Sequence, residues 1–279
     1  PAADLRAAHA GTENVVALAD VDWTRGAESF KRFPDAKKYK DYRQMLDKQG
    51  NEIDAIVIGT PDHMHATAAL HCMQSGKHIY CEKPLTRTAW EARLLTQAAE
   101  RYKVATQMGN QGYSHDATRV ASGEIGEVKE VHAWTGRPSW PQGMAKTPAP
   151  TAVPDTLDWD LWLGGAAARP FTAGDADYDA FVMERASRGR RPGAAPPRRE
   201  PFGYYLPFNW RGFYDFGSSL IGDWGVHILG PANWALQLHP KYLLSVECIK
   251  KDSLPATTFP DELAIRYDFG PRPGMPPVS

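Results

Sequence analysis

The sequence predicts a doubly wound α/β fold followed by a second domain built on an antiparallel sheet. Three observations predict it. Strand-like apolar runs alternate with amphipathic helix-like runs through the first 125 residues. The connections between them are short, which implies parallel strands joined by right-handed crossovers. After Gly126 the alternation stops, and the late runs "KYLLSVECIKK" and "DELAIRYDF" read as strands.

In chain order, "ENVVALADVD" is a strand and "WTRGAESFKRF" a helix. "EIDAIVIGTP" is a strand buried on both faces, because its Ile, Val and Ala content is nearly continuous. "DHMHATAALHCMQSG" is a helix, opened by Asp62 as N-cap and closed by Gly76. "KHIYCEKP" is a strand, Thr86 to Tyr102 a long amphipathic helix, "KVATQMG" a strand and "HDATRVASGEIG" a helix. Beyond the expected boundary, between 1–125 and 126–279, "EVKEVHAWTG" alternates like a half-exposed strand. An irregular region rich in Pro, Gly and aromatics runs from about 137 to 217, and "SSLIGDWGVHILGPANWAL" reads as one helix.

The chain has 279 residues, 42% hydrophobic and 23% charged, with a formal net charge of −1. That composition suits a globular protein and offers no basic stripe for nucleic acid. No apolar run approaches the roughly 20 residues of a membrane span. The cluster "RASRGRRPGAAPPRRE" reads as a solvated loop. Cys72, Cys81 and Cys248 lack metal or disulfide spacing and read as free buried thiols. The opening "ADLRAAHAG" looks like the first helix of a dinucleotide fold whose first strand and G-x-G-x-x-G turn are missing. The expectation is therefore a Rossmann-type sheet truncated at its N-terminus, with a second domain that also stops short. Cytoplasm and periplasm both stay open, since an export signal would precede Pro1.

In such sheets ligands lie at the carboxyl ends of the strands. Polar residues collect there, in "ADVD", "GTPD", "CEKP" and "QMGNQ". Asp20 can accept hydrogen bonds from both hydroxyls of an adenosine ribose, which favours NAD over NADP, while Asp22 suits a helix cap better. Thr60, Pro61 and His65 leave the third strand expected here, and Asn110 follows the fifth; these are candidate cofactor contacts. His63 and His65 point about 200° apart on a helix, so they do not read as a metal pair. Glu82 and Lys83 precede Pro84, which fixes φ and can adopt a cis bond. Lys83 can hydrogen-bond a substrate hydroxyl as hydride leaves the same carbon, and Glu82 can orient the lysine or the cofactor. An exposed ion pair before a helix is the alternative.

Asp223 and His227 stand four apart and share a helix face, giving a base tuned by a carboxylate. A helix-start Asp and a packed His would give the same spacing. Asn209, Trp210 and Arg211 lie in the aromatic run "FGYYLPFNWRGFYDFG", and Trp162 lies upstream. Aromatic faces suit the C–H faces of sugar rings, and Asn and Arg suit their hydroxyls; core or oligomer packing would use them equally well.

Together these residues resemble the Gfo/Idh/MocA oxidoreductase family, the relatives of glucose–fructose oxidoreductase and inositol dehydrogenase. The resemblance rests on "VVALADVD", "GTPDHMHATAAL", "GKHIYCEKPLTRTAWEA", "SGEIGEVKEVHAW" and "GDWGVHILGPANWAL". It implies a Rossmann domain with NAD(P) at the strand ends and a second domain with an open, mostly antiparallel sheet. It implies Lys83 as the substrate-orienting lysine, His227 as general base and Asp223 as its partner. It also implies a homo-oligomer, a dimer or tetramer. The expected activity is hydride transfer between NAD and a secondary hydroxyl of a sugar, glycoside or cyclic polyol. Alternatives are glycoside cleavage by transient oxidation and elimination, or a sugar-sensing regulator.

Overall fold

A computed structural model describes residues 13–110, 126, 128, 130–136, 140–187 and 203–279. The expected first helix, the expected helix after the fifth strand and the boundary near residue 125 lie outside these residues. The chain divides into two compact units. The first holds the chain up to Gly109, together with Pro148–Asp175 and Gly203–Tyr205; the second holds the rest.

The first unit carries β1 (Ala17–Ala19), α1 (Trp23–Arg32), β2 (Lys37–Tyr39), α2 (Tyr42–Gln49), β3 (Ala55–Ile58), α3 (Asp62–Gln74), β4 (His78–Glu82), α4 (Ala89–Tyr102) and β5 (Thr106–Gly109). All its strand pairs are parallel: β1 with β2, and β3 with β4 with β5. The β2–α2 pair has no counterpart in the sequence reading. Its strand is only "KKY", too short and too charged to show a period. The core sits between β3–β4 and the helices α3 and α4, with Ile58, Ala69, Cys72, Ile79, Cys81, Leu95 and Ala98 buried.

Local chemistry sets the element ends. Asp22 caps α1, its carboxylate accepting from the Thr24 N–H at 3.0 Å. Helix α4 begins three residues later than expected because Thr88 and Glu91 form a reciprocal capping box. Asp62 is not the cap of α3: that position is Pro61, which makes no side-chain cap bond, and Asp62 is the first helical residue. Gly76 ends the same helix region at φ +73°, a left-handed conformation.

Pro148–Asp175 contributes the short helix α5 (Trp159–Leu163) to the first unit. The second unit holds α6 (Ala176–Ser187), a 3₁₀ turn at Asn209–Gly212, α7 (Ser219–Ile228), α8 (Gly230–Ala235), β6 (Leu243–Lys251) and β7 (Leu263–Phe269). The single helix expected over 218–236 is two, separated at Leu229 ahead of Pro231. The described residues within 127–136 carry no strand; there the Val131 N–H donates to the Ser279 carbonyl at 3.0 Å. β6 and β7 pair antiparallel, as their patterns predict. Cys248 is exposed, contrary to expectation, because β6 leaves every residue after Leu243 in solvent. Arg185, expected in a solvated loop, lies buried in the last turn of α6, ion-paired with Asp261 and donating to the Trp140 carbonyl at 2.9 Å. Among the described residues no helix is long and apolar enough to cross a membrane, and no His, Cys, Asp or Glu cluster could hold a metal ion.

Candidate active site

The first unit presents its polar groups at the carboxyl ends of its parallel strands. Asp20 follows β1 directly, and its carboxylate accepts from the Asp22 N–H at 2.9 Å. Burial pushes the Asp20 carboxyl up to about 6, against the opposing pull of that backbone N–H. Asp22 is occupied as a helix cap, as the spacing predicts.

The Glu-Lys-Pro corner ends β4. The Lys83 N–H donates to the Gly109 carbonyl at 3.1 Å, continuing the β4–β5 ladder by one residue. The Lys83–Pro84 peptide is cis. His65 fixes this corner from α3. Its Nδ1 lies 2.8 Å from the Pro84 carbonyl and its Nε2 lies 2.8 Å from the Thr60 carbonyl. The ring is 1% exposed. A neutral imidazole donates through one nitrogen only, whereas the doubly protonated ring donates to both carbonyls. His65 thus ties the end of β3 to the corner that carries Lys83. The sequence marked His65 as a cofactor contact; this tie across 19 residues had no local signal.

The residues present fit the two ends of a dinucleotide. Asp20 is a half-buried acceptor at the strand end expected for the adenosine ribose. At the far end, a Cβ on Gly109 would fall 2.7 Å from Glu82 Oε1 and 2.8 Å from the Tyr80 hydroxyl, so a larger residue there would displace these side-chain tips. Asn110 follows it, with a buried Oδ1 that has no hydrogen-bond partner among the described residues. Such an acceptor suits the amide of a nicotinamide. No G-x-G-x-x-G run occurs in the chain.

The second unit carries the other constellation. Asp223 and His227 lie on α7, and Asp223 is buried. Its carboxylate meets Arg211 Nε at 3.0 Å. The guanidinium is held over the Trp210 ring at 4.1 Å and the Phe208 ring at 4.5 Å, and donates to the Phe208 carbonyl at 3.2 Å. Trp224 sets its ring edge-on to His227 at 6.2 Å. Asn209 is buried and donates through its amide to the Tyr178 hydroxyl. Trp210 and Trp162 are also buried, and Trp162 stacks on Trp159 at 4.9 Å in the first unit. Of the four residues expected to face a substrate, only Arg211 keeps part of its side chain in solvent. Gln142, which the sequence did not mark, accepts from the Leu220 N–H at 3.3 Å and so braces the start of α7.

Comparison with known proteins bears on the first unit most strongly. Residues 2–110 match the GFO_IDH_MocA family, described as an oxidoreductase family with an NAD-binding Rossmann fold. Over 122 residues the chain is 34% identical to an uncharacterized oxidoreductase, ORF334, of Rhizobium meliloti, covering 42% of this chain and 36% of the relative. Over 160 residues it is 27% identical to inositol 2-dehydrogenase of Salmonella paratyphi B, covering 53% and 46%. The chain thus spans less than half the length of these curated relatives. The crystal structure of the WlbA dehydrogenase of Chromobacterium violaceum, with NADH and UDP-GlcNAcA, superposes with a TM-score of 0.59 at 16% identity, over 95% of this chain and 59% of that one. That likeness is one of fold.

Proposed function

We propose that the protein is an NAD-dependent oxidoreductase that moves a hydride between the cofactor and a secondary hydroxyl of a sugar, glycoside or cyclic polyol. The observation that carries this reading is the built corner at the end of β4. Glu82, Lys83 and a cis Pro84 are held there by His65, beside Gly109, on a family-matched nucleotide domain. The relation to an inositol 2-dehydrogenase supports the substrate class.

In this reading Asp20 holds the adenosine ribose, and Thr60, Pro61, Glu82 and Asn110 line the strand ends toward the nicotinamide. Bound NAD supplies the hydride acceptor. Lys83 donates a hydrogen bond to the reacting hydroxyl oxygen and favours its alkoxide character as the C–H bond breaks. His227 takes the hydroxyl proton, and Asp223, anchored by Arg211, steadies the face of α7 that carries it. Arg211, partly in solvent, offers donors to neighbouring hydroxyls. Asn209 and Trp210 are buried neighbours of Arg211 within the second unit, and Trp162 packs within the first.

A screen of sugars and cyclic polyols for NADH formation tests the reading. Turnover with a ring bearing a free secondary hydroxyl supports it. Free sugar released from a glycoside without net NADH would replace it with cleavage by transient oxidation.

A further inference from the structure

Residues 148–175 return to the first unit from far along the chain, and they land on the edge where nucleotides bind in this fold. Leu157 forms an antiparallel bridge with Asp22. The Asp158 N–H donates to the Val21 carbonyl at 2.9 Å, and the Trp23 N–H donates to the Thr156 carbonyl at 3.1 Å. The Thr24 hydroxyl donates to the Thr156 hydroxyl at 3.0 Å. These contacts sit directly beyond β1, two residues from Asp20.

The same segment is pinned a second time beyond β3. The Trp162 carbonyl lies 3.0 Å from His63 Nε2, and the two rings approach to 5.2 Å. Gly164, at φ +54°, leaves room for the Met64 sulfur, which a Cβ there would strike. Between the two anchors the strap is stiffened by aromatic contacts: Trp159 stacks on Trp162 at 4.9 Å and on Tyr205 at 5.5 Å, and meets Phe171 edge-on at 5.3 Å. Val21–Thr24 follow one strand and His63–Met64 open the helix after another. The strap therefore crosses the carboxyl edge of the parallel strands, along the line a dinucleotide takes from ribose to nicotinamide.

We propose that residues 154–164 form an outer wall of the cofactor site, so that bound NAD leaves only when the strap lifts from Thr24. This rests on the NAD reading above. It deepens that reading by making release of the dinucleotide the step that the strap governs.

The test is a reversible lock. In a Cys248→Ser background, which removes the exposed native thiol, Thr24→Cys and Thr156→Cys are combined and the full chain is loaded with NADH. Release is followed by loss of bound-NADH fluorescence on dilution into excess NAD, with and without mild oxidation. Oxidation is expected to slow release about tenfold or more, and a reductant to restore it. The single variant Thr156→Val, which keeps the shape and loses the hydroxyl, is expected to release NADH several-fold faster than the parent. Equal release from locked and reduced protein, or unchanged release from Thr156→Val, overturns the wall while leaving NAD binding intact. A parent protein that binds no NADH overturns both the wall and the reading beneath it.

Discussion

Arg211 is the anchor of Asp223: its Nε lies 3.0 Å from the carboxylate, and their side chains are 21% and 5% exposed. The guanidinium is clamped over Trp210 and Phe208, so the pair is rigid as well as charged. Arg211→Met leaves a buried carboxylate without its cation. The expected loss is about 2–4 kcal/mol, read as a lower urea midpoint. Arg211→Lys should recover only part of it, since an ammonium lacks the planar fork and stacks poorly. A midpoint unchanged in Arg211→Met contradicts the anchoring role.

Asp20 carries a cost to the fold. Its ordinary value is 3.8, and burial raises it to about 6 in the folded chain. The folded state therefore disfavours the charged form. The cost is full above pH 6, fades as pH falls from 6 toward 3.8, and is absent below both values. Asp20→Asn should accordingly be more stable than the parent near pH 7, by on the order of 2–3 kcal/mol, with the gap closing as the acid range is entered. The same variant should bind NADH about tenfold more weakly, because a charge-assisted acceptor has been replaced. Urea titrations at two pH values and NADH fluorescence check both halves.

His65 ties two carbonyls that no other described side chain is shown to join. Gln at this position can donate to one of them but not span both. His65→Gln should destabilise the first unit by about 1–3 kcal/mol. It should also raise KM for substrate or cofactor by loosening the Lys83 corner.

The three thiols should separate cleanly. Burial pushes Cys72 and Cys81 up to about 12, and both lie in the core of the first unit. Thiolates are the reactive form, so iodoacetamide on the native protein should label Cys248 alone, with the other two appearing only after unfolding. Mass spectrometry of the alkylated chain reads the result.

What the sequence made legible follows from what is local. The parallel strands, the cap role of Asp22, the cis-capable Pro84 and the shared helix face of Asp223 and His227 all arise from spacings of a few residues. The strap was not legible, because Thr156 and Thr24 meet across 132 positions and its run "PDTLDWDLWLG" carries no period. Arg211 was visible as a charged residue among aromatics, but its pairing with Asp223 depends on a 3₁₀ turn in irregular backbone. Cys248 was misplaced for a related reason: an apolar alternation shows which residues share a face, not whether anything covers that face.

The central claim is that Lys83 and His227 serve one reaction on NAD. The most direct measurement is turnover of Lys83→Ala and His227→Ala on the best substrate from the sugar and polyol screen, alongside NADH binding and the urea midpoint of each variant. The account predicts that kcat falls by about 100-fold or more in both, while the urea midpoints stay near the parent value and NADH still binds. Near-normal turnover in both variants would contradict it.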